Sequence, residues 1–161
     1  MDGRPSGRDE SESERLDRNV SELLQELRVA LPGVQVLFAF LLAVPFQGGF
    51  GRISPFEERV YFATLVFTAI SAALLIAPSS YHRLTFRLQQ KRQLVLLANR
   101  YTIAGLAFLG LAMTGALLLI THVLFGGLAA AIVGVLAALT FGVLWYGMPL
   151  RRRLSLRRER S

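Results

Sequence analysis

Apolar side chains fall into long unbroken blocks along this sequence, and the polar ones gather between the blocks. From Val29 to Phe46 there is no charged residue, and Gln35 is the one strongly polar side chain. Val60 to Ala77 (VYFATLVFTAISAALLIA) is again free of charge. Between Tyr101 and Leu150 the chain runs for fifty residues without Lys, Arg, Asp or Glu. A bilayer core about 30 Å thick is crossed by roughly 20 apolar helical residues. Fifty residues of helix would extend about 75 Å, so this block has to fold back on itself. Its turn is predicted at Thr121 to Gly127 (THVLFGG), which holds His122 and the Gly126-Gly127 pair. The pattern predicts four transmembrane helices, at about 29–47, 58–78, 98–121 and 127–148.

Buried helices of a soluble protein would carry a polar stripe at 3.6-residue spacing, and these blocks are apolar all round. Membrane β-strands are shorter and alternate. The first block also reads as a retained span rather than a cleaved leader, because mostly polar residues precede it and no small-x-small cleavage site follows. The fold class is therefore all-α, a four-transmembrane-helix bundle occupying residues 29–150.

The flanks differ in character. Residues 1–15 (MDGRPSGRDESESER) are charged and without apolar periodicity, the composition of a disordered tail. Over 16–31, Leu16, Val20, Leu23, Leu24, Leu27 and Leu31 recur at helical spacing with charges on other faces, which predicts an amphipathic interfacial helix. Pro32-Gly33 is expected to kink or break it from the first span. Ser54-Pro55-Phe56-Glu57 reads as a capped helix start, with Ser54 as N-cap and Glu57 closing a capping box. Pro45, Pro78 and Pro149 are expected to end three of the spans. Residues 151–161 form a basic tail.

Charge changes meaning once it is divided along this map. A formal charge of +7 and a pI near 11.0 could describe a nucleic-acid binder. Residues 1–28, however, hold five Arg against eight acids, and the 48–59 loop holds Arg52 and Arg59 against Glu57 and Glu58. The 79–100 loop holds Arg83, Arg87, Lys91, Arg92 and Arg100 with no acid, and the tail holds six Arg against Glu159. Basic residues are rich in alternate segments, as the positive-inside rule requires of a protein with both termini cytoplasmic. The surplus lies beside the membrane, where each Arg near anionic lipid gains roughly 1 kcal/mol. Anionic lipids, and not nucleic acid, are the expected partners. The expected location is a membrane, with both termini on its cytoplasmic side.

Candidate chemistry is sparse. There is no cysteine, which removes disulfides, cysteine metal sites and thiol catalysis. No nucleophile–base pair, phosphate loop or metal-spaced cluster occurs, so neither an enzyme nor a cofactor is expected. No span holds the acid, His or Lys that proton or cation transport usually needs. Thr64, Thr68 and Ser71 share one helical face and, with Gln35, form a candidate intramembrane polar seam, read either as helix–helix glue or as the lining of a small conduit. Ala130, Gly134, Ala138 and Gly142 make a small-residue packing face for a helix of this chain or a second copy. Gly105, Ala112 and Ala116 could serve similarly on the third span. His122 alone in its turn reads as a surface residue. At the cytoplasmic boundary, Glu22, Glu26 and Arg28 of the amphipathic helix are expected to face Tyr81, His82, Arg83, Asn99 and Arg100. Glu22 and Glu26 would meet Arg83, Arg87 and Arg92. This rim is a candidate surface for a lipid headgroup or a protein partner.

Three strings together, RNVSELLQELRVALPGVQVLFAFLLAVPF, IAPSSYHRLTFR and ANR, resemble a bacterial family of small four-span membrane proteins of unknown function. The resemblance covers roughly residues 16–150. It rests on Asn19, Glu22, Leu23, Leu24, Gln25, Glu26, Leu27, Arg28, Gly33, Gln35 and Pro45, then Pro78, Tyr81, His82, Arg83, Asn99 and Arg100. The family implies no activity or catalytic residue. Some members carry the label sodium:proton antiporter, but no span of this sequence holds a carboxylate to exchange Na⁺ for H⁺. The expectation is a non-enzymatic protein with a structural or interaction role. The alternative is a small oligomeric transporter using the polar faces of the first two spans.

Overall fold

The computed structural model describes residues 12–85 and 91–158, and no strand occurs among them. Helix α1 runs over Glu12–Ala43, α2 over Pro55–Thr85, α3 over Lys91–Phe125, α4 over Gly127–Gly142 and α5 over Met148–Arg158. Four stretches are long and apolar enough to cross a membrane: Leu27–Phe46, Pro55–Tyr81, Leu96–Phe125 and Gly127–Arg152. They agree with the four predicted spans, with each of the last three extended by a few residues. The expected disordered tail lies outside the described residues except for 12–15, which open α1. Helix α5 carries the basic tail as far as Arg158.

Four crossings bring the start of α1, the end of α2, the start of α3 and α5 to one membrane face, here the terminal face. The 44–54 connection and the α3–α4 turn lie at the opposite, loop face. On that side Ser54 caps α2 as predicted. Its N–H donates to Glu57 Oε2 at 2.6 Å, and the Glu57 N–H donates to Ser54 Oγ at 3.3 Å. The α3–α4 reversal is tighter than expected. Helix α3 continues through His122 to Phe125, and the chain turns at Gly126 alone, whose φ of +85° suits glycine.

Two expectations about proline are corrected. Pro32 lies inside α1, so the amphipathic segment and the first span are one continuous helix rather than two separated elements. Pro78 lies inside α2, and helical structure continues past Pro149. In hydrocarbon, leaving the helix would expose several backbone groups, a larger loss than the one bond each proline removes. A five-residue π-helical turn, Val143–Gly147, lies just before Pro149 and delivers the Met148 N–H to the Val143 carbonyl. Pro45 does behave as expected, sitting in a 3₁₀ turn just after α1 ends.

Helices α2 and α3 form the central antiparallel pair, α1 lies against both, and α4 packs on α3 alone among the described elements. Helix α1 turns Leu27, Val34 and Leu41, spaced seven apart, into the core. Leu27 and Val34 meet Leu75 and Leu109 there. Phe40, Phe62, Leu128, Ile132 and Leu139 point outward and are exposed. The large apolar side chains that would form a core in water here face the surroundings, as expected where lipid is the solvent.

Candidate functional site

Small residues on α3 let α2 approach closely, and this contact positions the polar seam. Thr64, Thr68 and Ser71 are 1%, 0% and 0% exposed. A Cβ added at Gly115 would collide with Thr64 Oγ1, and one added at Gly105 would lie 2.8 Å from Leu75 Cδ2. The Thr64 hydroxyl donates to the Val60 carbonyl at 2.7 Å, and Thr68 donates to the Thr64 carbonyl at 2.8 Å. Ser71 reaches across the interface to the Gly105 carbonyl at 2.8 Å. Each seam hydroxyl is therefore occupied, two within α2 and one as a strut to α3.

Gln35 does not join this seam, contrary to the expectation. It is exposed on the outer side of α1. Val34 occupies the inward position, and the next residue along a helix lies about 100° further round. The small-residue row on α4 is corrected in part. Ala130 and Gly134 are buried, Gly134 against Leu118, while Ala138 and Gly142 are exposed and Ala137 takes the next inward place. A row spaced every four residues drifts about 40° per step, so its second half has turned away from α3. Of the candidates on the third span, Ala112 and Gly105 are buried and Ala116 is half-buried.

At the terminal face, Glu22 pairs with Arg18 of its own helix at 3.8 Å. Arg28, Asn99 and Arg100 are exposed and Tyr81 is half-buried. Glu26, His82, Arg83, Arg87 and Arg92 lie outside the residues whose side chains are described. The predicted meeting of Glu22 and Glu26 with these arginines therefore falls there too. Arg151 and Arg152 are exposed at the same face. The Tyr146 hydroxyl donates to the Ile103 carbonyl at 2.6 Å and ties the end of the fourth span to α3, twelve residues from that helix's start. Below this tie an apolar groove of about 250 Å³ opens between α3 and α4, lined by Gly110, Thr114, Phe141, Gly142 and Trp145 among others.

Besides the Tyr146–Ile103 bond, two polar contacts at or near the loop face escaped the sequence reading. His122 Nδ1 lies 3.1 Å from Glu57 Oε1, and the Phe56 ring lies against the imidazole at 5.1 Å between centroids. One carboxylate thus serves the α2 cap with one oxygen and reaches α3 with the other. The signal was available in the topology, which brings both residues to the loop face. The second contact is the Tyr61 hydroxyl, which donates to the Leu41 carbonyl at 2.8 Å and joins α2 to α1.

The pattern of a family of unknown function, DUF6328, matches residues 9–149. The chain belongs to this family. The match runs from just before α1 to the start of α5 and so takes in the first three spans and all but the last three residues of the fourth. No curated protein and no solved structure matches the chain. As a DUF6328 member with four apolar helices, the protein is a small multi-pass membrane protein. Among its described residues, no group of three or more His, Cys, Asp or Glu could hold a metal ion.

Proposed function

We propose that this DUF6328 protein is a non-enzymatic component of a bacterial inner membrane with a structural or interaction role, its terminal face cytoplasmic. One observation carries the reading: the seam hydroxyls at the centre of the bundle are buried and already bonded, two to carbonyls of α2 itself and one across to α3. A conduit needs polar groups left free to exchange partners with a solute. Chemistry offered to a partner is instead concentrated at the terminal face, in the exposed Arg28, Arg100, Arg151 and Arg152.

Anionic phospholipid is the partner this face suits best. Arg100 stands three residues, about 4.5 Å along the helix, from the Ile103 carbonyl that Tyr146 holds. A lipid chain in the α3–α4 groove would put its phosphate at the level of these arginines, and phosphate and guanidinium form strong charge-assisted hydrogen bonds. A protein docking at the cytoplasmic rim would use the same charges.

The test is transport in proteoliposomes. Vesicles holding the protein are expected to show the same Na⁺ and proton flux as empty ones. Flux above that background, abolished by Gln35→Ala or His82→Ala, would contradict the proposal and favour the small oligomeric transporter.

A further inference from the structure

Gln35 is out of place in a lipid-facing position. It stands eight residues from the start of the Leu27–Phe46 span and eleven from its end, about 12 and 16 Å along the helix. That is the middle of a bilayer core. The other amide at a span, Asn99, sits three residues inside the mouth of the Leu96–Phe125 stretch. Six hydroxyls in the spans behave differently from Gln35: those of Thr64, Thr68, Thr114, Thr121 and Thr140 return to their own helix, and Ser71 bonds to α3. The Thr102 hydroxyl, also without a partner, is buried inside the protein rather than turned to lipid. Gln35 has no hydrogen bond to any described residue, and its side chain is exposed. An amide cannot satisfy itself in this way, and hydrocarbon offers it no water.

We propose that Gln35 marks the interface of a homodimer in which α1 of one copy packs against α1 of the other. A second copy is favoured over other partners by the chemistry of the amide. It carries one acceptor and one NH₂ donor, so two of them bond to each other in a reciprocal pair. Two copies inserted with the same orientation are related by a two-fold axis along the membrane normal. Such an axis brings a residue against its own counterpart, which is the geometry the amide pair requires. The surrounding surface permits the approach. Ala39, Leu42 and Phe46 follow Gln35 at four, seven and eleven residues, all exposed, and Ala39 beside the amide is small. The side of α1 about 100° round from Gln35 is already committed, through Leu27, Val34 and Leu41, to the protein's own core.

This proposal is independent of the lipid reading, because it concerns the mid-bilayer face of α1 and not the terminal face. The full chain would be labelled and reconstituted in phosphatidylcholine–phosphatidylglycerol vesicles, and its association followed by energy transfer as protein is diluted in lipid. Wild type is expected to form a dimer whose association weakens about tenfold in Gln35→Leu, with Gln35→Asn falling between. Helix content should be equal in all three, since the site is outside the core. The absence of native cysteine allows single-cysteine cross-linking. Ala39→Cys and Leu42→Cys should form a disulfide between copies, and Leu37→Cys, which packs inward, should not. A wild type that stays monomeric at high protein density would overturn the proposal. So would a dimer unaffected by Gln35→Leu, or cross-links through Ile132→Cys or Leu139→Cys of α4 in place of α1.

Discussion

Gly115→Ala is expected to destabilise the bundle by about 1–3 kcal/mol, and adding Thr64→Ala is expected to recover most of the loss. A Cβ at position 115 would occupy the space of Thr64 Oγ1 and would lie 3.3 Å from Thr64 Cβ. Thr64 is 1% exposed, so its hydroxyl has little room to swing aside. The helices must then separate, or the Thr64 hydroxyl must give up the Val60 carbonyl. Thr64→Ala removes the obstructing oxygen and leaves that carbonyl its ordinary backbone partner. The two changes should therefore be strongly coupled. Reversible unfolding of the four single and double variants in mixed micelles, followed by far-UV circular dichroism, measures this directly. Additive losses would show that Gly115 and Thr64 do not meet.

Tyr61→Phe is the second substitution with a large expected effect, about 1–2 kcal/mol. The phenol is the partner of the Leu41 carbonyl, and Tyr61 is 6% exposed. In an unbroken helix that carbonyl would accept from residue 45, which here is proline and has no N–H. Tyr61 thus closes, from the neighbouring helix, a gap the sequence opens in α1. Its ring also packs edge-on to Phe50 at 5.0 Å, a contact phenylalanine would keep, so the loss isolates the hydroxyl. Pro45→Ala restores an N–H at the position that needs it. The penalty of Tyr61→Phe should accordingly be smaller in a Pro45→Ala background, measured by the same unfolding assay. An equal penalty in both backgrounds would separate Tyr61 from the proline.

The spans were legible in the sequence because lipid imposes length and composition on them directly. Val29–Phe46 and Tyr101–Leu150 could hardly be anything else. The Ser54–Glu57 capping box was equally plain, since all its contacts lie within four residues. What escaped was anything set by rotation about a helix axis. Gln35 and the Thr64–Ser71 row are both polar and both intramembrane, and on an all-apolar helix no stripe reveals which side faces inward. The inward row Leu27, Val34 and Leu41 decides it, and its three residues look no different in sequence from the leucines around them. Long-range pairs were hidden for a related reason. Glu57 already had a local role as a cap, and His122 seemed alone until the helices brought the two within 3.1 Å. Proline misled because the rule that it ends helices belongs to water, where an opened backbone can be hydrated.

Burial of the seam is what separates a packing role from a conduit, and accessibility tests it most directly. With no native cysteine, Thr68→Cys can be placed in an otherwise thiol-free chain and treated in vesicles with a small, water-soluble methanethiosulfonate. Gly48→Cys in the exposed 44–54 connection supplies the reactive control. The account predicts that Thr68→Cys stays unmodified from both sides of the membrane while Gly48→Cys is labelled completely. Modification of Thr68→Cys at a comparable rate, in protein that remains folded, would mean that water reaches the seam and would contradict it.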